Sequence, residues 1–245
     1  MFMLAEWDEL YPSGGLTWEE FNSDTHLLEK AFDMSFGLRL HYLLDRIAEG
    51  KSELNDIDIY LAAEREKYPP TVCLMNFTSN HDVNSWDGTE YERLGPLALP
   101  FAVLTALLPG MPMLYSGQKP AWTAGYPSLI KTPSSGAPTP SRTFTPGSCN
   151  SKSATRPCAM ATPAAASSAS PGRPACTGSS VEKEGSAVVV LINTTAEALV
   201  LPGQKTPITP QKGLFDMFSG AQCTLAQPAA RTVPAHGWRV LRTRD

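Results

Sequence analysis

Residues 1–118 alternate short apolar runs with longer stretches that carry one apolar face, and a chain patterned this way lays parallel strands against helices. Residues 2–7 predict a first strand. A polar insertion with Pro12, Gly14 and Gly15 follows, and residues 18–30 read as weakly helical. Residues 31–36 predict a second strand. Leu40, Leu43, Leu44 and Ile47 then recur at helical spacing ahead of Gly50, which predicts a helix over 38–49. A helix over 57–68 stops at Pro69-Pro70, and a strand over 72–79 runs straight into Asn80-His81-Asp82. Residues 94–108 predict a long apolar helix with Pro96 near its first turn and a kink at Pro100, and residues 111–115 a last buried strand. Four strands with intervening helices make half of a (β/α)8 barrel, a fold whose strand C-termini carry the chemistry. Glu6 and Asp82 both fall at such ends. Taken singly, either is as well read as a loop carboxylate or a helix cap.

Charge and cysteine content remove several function classes. A net charge of −4 and a pI near 5.6 give no electrostatic reason for nucleic acid or an anionic membrane as partner. No apolar run approaches the roughly 18 residues of a membrane span. The opening Met1-Phe2-Met3-Leu4-Ala5-Glu6 lacks the basic flank and long apolar run of a signal peptide. It reads instead as a buried strand with nothing before it, which leads us to expect a truncated N-terminus and leaves the compartment unassigned. Cys73, Cys149, Cys158, Cys176 and Cys223 are odd in number and show no metal-like spacing, so neither a disulfide scaffold nor a metal site is expected from them.

Two further segments follow. Residues 119–180 contain no Asp or Glu, and roughly three quarters of them are Pro, Ser, Ala, Thr and Gly without any period. Residues 181–245 form a β-rich module: short strands over 186–193, 199–201, 213–218, 222–225 and 238–242 between Pro and Gly turns indicate an antiparallel β-sandwich. There, His236 and Trp238 are expected to be turn and core residues.

Three motifs in the first segment carry a resemblance. Phe77-Thr78-Ser79-Asn80-His81-Asp82, with Asn84-Ser85-Trp86-Asp87-Gly88-Thr89 and Glu92-Arg93 behind it, resembles the region around the last catalytic aspartate of glycoside hydrolase family 13, the α-amylase family. Phe2-Met3-Leu4-Ala5-Glu6-Trp7-Asp8 is similar to the strand that presents that family's acid/base glutamate. Pro109-Gly110-Met111-Pro112-Met113-Leu114-Tyr115-Ser116-Gly117-Gln118 resembles its eighth barrel strand. More softly, residues 214–220 and 234–241 resemble the hairpins of its C-terminal domain. The resemblance implies barrel strands 5–8 over residues 1–118, a separate segment over 119–180 and a C-terminal β-sandwich over 181–245.

It also implies roles. Glu6 becomes the general acid and then the base, Asp82 the second catalytic carboxylate, and His81, Asn80 and Trp7 the substrate-binding residues, with an α-glucan or maltooligosaccharide as substrate. The family's nucleophilic aspartate lies on the fourth strand, upstream of the one bearing Glu6. The resemblance therefore implies that this chain alone is inactive and, with open strand edges, prone to aggregate. Calcium is common in the family but draws partly on that upstream region, so no metal ligand and no cofactor is assigned. A glucan-binding relative without catalysis, and a transglycosylase of the same family, stay open as alternatives.

Residues 119–180 admit a flexible linker or a stretch translated out of frame. Lys119-Pro120-Ala121-Trp122-Thr123 is encoded AAR-CCN-GCN-TGG-ACN. One base placed in front gives NAA-RCC-NGC-NTG-GAC, which can read glutamate, alanine, glycine, leucine and aspartate, the family's continuation after its eighth strand. The forced aspartate codon favours the frameshift, with the frame restored near Gly178–Ser180, and sequencing the gene between the codons for Gln118 and Val181 tests it.

Overall fold

The computed structural model describes residues 1–7, 24–118, 169–170, 173–174, 176–183, 186–200 and 213–243, with backbone alone for 24–26 and up to 187 in the later strands. The first part runs β1 (Leu4–Ala5), α1 (Asp24–Lys30), β2 (Met34–Phe36), α2 (Leu38–Ala48), α3 (Asp56–Lys67), β3 (Cys73–Asn76), α4 (His81–Trp86), α5 (Glu90–Leu94), a 3-10 turn (Gly95–Leu97), α6 (Ala98–Leu107) and β4 (Met111–Pro112). The four strands lie side by side in sequence order. All pairs are parallel, with Leu4 opposite Met34, Met34 opposite Cys73 and Met75 opposite Met111. Parallel neighbours joined through helices are half of a (β/α)8 barrel.

Several expected boundaries move for local reasons. β1 pairs with β2 over 2 residues only, Leu4 opposite Met34 and Ala5 opposite Ser35, and Met1 and Phe2 ahead of it are exposed. The helix expected over 94–108 is broken at Gly95, which takes φ +53, and resumes at Ala98. Pro100 thus falls in the first turn of α6, where no backbone N–H has an intrahelical partner, and there is no need for a kink. Tyr68 is extended ahead of Pro69, as a pre-proline residue prefers. The polar insertion around Pro12, the start of the helix expected from residue 18, and the linker or out-of-frame stretch over 119–168 lie outside the described residues.

The C-terminal part adds a short pair β5 (Ala169–Ser170) and β6 (Arg173–Pro174), then β7 (Cys176–Lys183), β8 (Ser186–Asn193), β9 (Leu199–Val200), β10 (Leu214–Asp216), β11 (Gln222–Cys223), α7 (Pro228–Arg231), β12 (Thr232–Val233) and β13 (Trp238–Thr243). β7 pairs antiparallel with β8 from Cys176 opposite Asn193 onward, so this strand begins inside the segment set apart by composition. Five strands order as β11-β10-β13-β8-β7, and β12 pairs with β9 in a small second sheet. The run Val188-Val189-Val190-Leu191-Ile192 shows why β8 is central: Val189 and Leu191 face Val233, Leu214 and Leu241, while Val188, Val190 and Ile192 face the helices of the half barrel. A strand buried on both faces must be apolar at every position. Its partner there is α6, which buries residues all round, including Phe101, Val103 and Leu104. Among the described residues no helix is long and apolar enough to cross a membrane.

Gly110 shows how tightly β4 approaches β3. Its φ is +117, and a Cβ there would lie 2.4 Å from the Leu74 carbonyl oxygen and 2.9 Å from Asn76 Nδ2. Asn76 Nδ2 donates to the Pro109 carbonyl at 2.7 Å, so neither neighbour can retreat cheaply. Gly110→Ala should destabilise the chain by about 2–3 kcal/mol in urea unfolding, from backbone strain and overpacking together.

Candidate functional site

The mouth of the half barrel is built from two strand ends. Glu6 follows β1 directly, and the segment before it is held by Met3 N–H donating to Asp33 Oδ2 at 2.7 Å. The exit of β3 sinks through Phe77, Thr78, Ser79 and Asn80, all buried, and then rises into α4. Asn80 caps that helix: its backbone is extended and its Oδ1 accepts from Val83 N–H at 2.7 Å. His81 and Asp82 are the first residues of α4 and are therefore delivered to the surface together.

These three residues meet. His81 Nε2 lies 3.9 Å from Glu6 Oε1 and 3.5 Å from Asp82 Oδ1. One donor atom from each lies within 4.8 Å of the others, and all three side chains are more than half exposed. Trp7, next in the chain, is half-buried. Asn80 does not join the cluster at the surface. It is buried beneath it with its carbonyl oxygen engaged in the cap. Two carboxylates and an imidazole on one rim can exchange protons with a ligand and bind its hydroxyls.

Below the cluster lies a buried polar frame to which the sequence reading assigned no role. Arg93 Nη2 donates to the Thr78 carbonyl and Nη1 to Asp45 Oδ1, both at 2.5 Å, and Nε donates to the Gly88 carbonyl at 3.2 Å. Gln118 Nε2 donates to Thr78 Oγ1 at 2.9 Å, while its Oε1 accepts from Tyr115 N–H at 2.6 Å. The strand end is thus gripped through Thr78 from both sides. His41 stacks on Phe77 at 5.0 Å between centroids with its Nε2 3.4 Å from Asp45 Oδ2. Burial, with the Arg93 charge adding to it, pushes the His41 imidazole down to about 3. Burial also pushes the Asp45 carboxyl up, against the pull of Arg93. One signal for this frame was in the sequence: Thr89 and Glu92 form a capping box, Thr89 N–H donating to Glu92 Oε2 at 2.8 Å and Glu92 N–H to Thr89 Oγ1 at 3.3 Å, which fixes the helix that bears Arg93.

Solved structures share this architecture. An α-amylase from Lactobacillus plantarum superposes with a TM-score of 0.65 at 14% identity, over 91% of this chain and 50% of that one. A cyclomaltodextrinase gives 0.69 at 14% identity over 99% and 40%. An α-amylase from Geobacillus thermoleovorans complexed with acarbose gives 0.62 at 14% identity over 100% and 53%. The chain has the fold of an amylase-type half barrel with its C-terminal sheet domain. It spans about half the length of the structures it matches. No protein-family model and no curated protein matches it.

The cluster at the mouth does not suit calcium. Among the described residues the one group of three or more His, Cys, Asp or Glu side chains is Glu6, His81 and Asp82. Ca2+ takes six to eight oxygen ligands, and an imidazole with two carboxylates is the wrong set.

Proposed function

We propose that this chain is the acid/base-bearing half of a retaining, amylase-type glycoside hydrolase that acts on α-glucosidic bonds of maltooligosaccharides. The observation that carries the reading is the convergence of Glu6 and Asp82 on His81 at one mouth of the parallel sheet. In it, Glu6 protonates the departing glycosidic oxygen and then takes the proton of the incoming water. Asp82 binds hydroxyls of the same sugar and stabilises the positive charge that develops on its ring. His81 donates a hydrogen bond to that sugar, Trp7 offers it an apolar face, and Asn80 serves by holding the helix on which His81 and Asp82 ride.

Retention requires a nucleophilic carboxylate about 5 Å from the acid/base group. Among the described residues the cluster holds two carboxylates, both already assigned, so we place the nucleophile on a strand of the complementary half barrel. The 245-residue chain alone is then a glucan binder without turnover, which keeps the non-catalytic reading in force for the isolated polypeptide.

Joining the chain to an N-terminal half barrel taken from the upstream reading frame tests this. The joined protein should hydrolyse maltooligosaccharides, and Glu6→Gln should lower kcat by about 10³-fold with little change in KM. Turnover by the 245-residue chain alone would refute the placement of the nucleophile. Loss of neither activity nor acarbose binding in Glu6→Gln and Asp82→Asn would refute the site. Product analysis with a sugar acceptor present separates hydrolysis from transfer, which share the covalent intermediate.

A further inference from the structure

The side chains that meet at the mouth are also a ligand set. We propose that the carboxylates of Glu6 and Asp82 and the imidazole of His81 form a binding site for a divalent transition cation of the zinc, cobalt or manganese class. A cation with bonds of about 2.0–2.2 Å holds adjacent tetrahedral donors about 3.3–3.6 Å apart. His81 Nε2 and Asp82 Oδ1, at 3.5 Å, stand at that spacing without movement. Glu6 Oε1 lies 3.9 Å from the same nitrogen and within 4.8 Å of the Asp82 donor, so it needs to close by up to about 1.3 Å to reach that spacing to both. Its side chain is 57% exposed and free to do so.

The backbone beneath the donors is fixed. Glu6 leaves a paired strand, and the turn at His81 is held by the Asn80 cap and by Ser85 Oγ donating to the His81 carbonyl at 2.6 Å. Little ordering remains to be done on binding. Two carboxylates with donor oxygens within 4.8 Å repel each other, and a dication between them reverses the sign of that interaction. One imidazole with two carboxylates selects the borderline transition ions over Ca2+ and Mg2+, and the exposed face leaves positions for water. The cation occupies the atoms that the proposed mechanism uses on the sugar, so metal and glucan exclude each other. That consequence, unlike the site itself, rests on the function proposed above.

Co2+ titrated into the full 245-residue chain, followed by visible absorption, tests the site. One Co2+ per chain should bind with ligand-field bands and no thiolate charge-transfer band, the five cysteines being the rival ligands. His81→Ala should abolish the bands, and Glu6→Gln and Asp82→Asn should each weaken binding by more than about tenfold. All three side chains are over half exposed, so these variants should melt like the parent. Unchanged binding in His81→Ala, or a thiolate band on saturation, overturns the site. Added maltotriose separates the two readings. If it binds while Co2+ does not, the metal site is wrong and the glucan site stands. If Co2+ binds as described and maltotriose neither binds nor displaces it, the metal site stands and the glucan reading is wrong.

Discussion

Replacing Arg93 with alanine should cost about 3–5 kcal/mol of stability, because it strands a partly buried carboxylate and a buried carbonyl at once. The Arg93 side chain is 9% exposed and its Asp45 partner 24%. The guanidinium spends three directions of its planar fork on three separate elements: Asp45 on α2, the Thr78 carbonyl at the exit of β3, and the Gly88 carbonyl behind α4. Lysine cannot reproduce that fork with one ammonium, so Arg93→Lys should fall well short of full recovery. Asp45→Asn added to Arg93→Ala should restore part of the loss, since the amide removes the stranded charge, and the two changes should therefore be non-additive. Urea midpoints at constant slope measure all of this. The same series reports on the site: Thr78 lies four residues before Asp82, so maltotriose binding should weaken in Arg93→Lys although Arg93 does not line the mouth.

How far the sequence led depended on whether a residue's partner was local. The helical repeat of Leu40, Leu44 and Ile47 and the uninterrupted run Val188–Ile192 announced their elements because burial on one or both faces is written into periodicity. Strand ends were less legible: β1 and β4 pair over two residues each, and where pairing stops is invisible in either apolar run. Glu6, His81 and Asp82 were legible as polar residues at strand ends, a position that has meaning in a parallel α/β sheet. Of their supporting frame only the Thr89–Glu92 capping box was legible. Arg93 and Gln118 both meet Thr78, which is 15 residues from Arg93 and 40 from Gln118, and Asp45 meets Arg93 across 48 residues, separations at which no local pattern announces a partner. Asn80 carries a role that its motif did not announce: its side-chain oxygen caps the start of α4.

Acid should unfold this chain through His41. The imidazole is 1% exposed, stacked on Phe77, and held down to about 3 against an ordinary value of 6.5. Between those two values the unfolded chain carries a proton on His41 that the folded chain refuses, so the unfolded state binds more protons and stability rises with pH. The contribution is therefore complete above pH 6.5, is lost progressively as the pH falls, and stops changing below about 3. At about 1.4 kcal/mol per unit, this window accounts for at most roughly 5 kcal/mol. Asp45, Asp58 and Glu90 act against it: burial raises each carboxyl, so folding favours their protonated forms, and their contribution grows as the pH falls through the range where they ionise and is constant below it. The net slope should thus be steepest above the carboxyl range and flatten within it. His41→Phe keeps a ring on Phe77 and removes the titrating nitrogen, so its stability should change little between pH 7 and 5 while that of the parent falls. Urea unfolding of both proteins across that interval decides the matter, and parallel pH dependences would assign the acid sensitivity to another group.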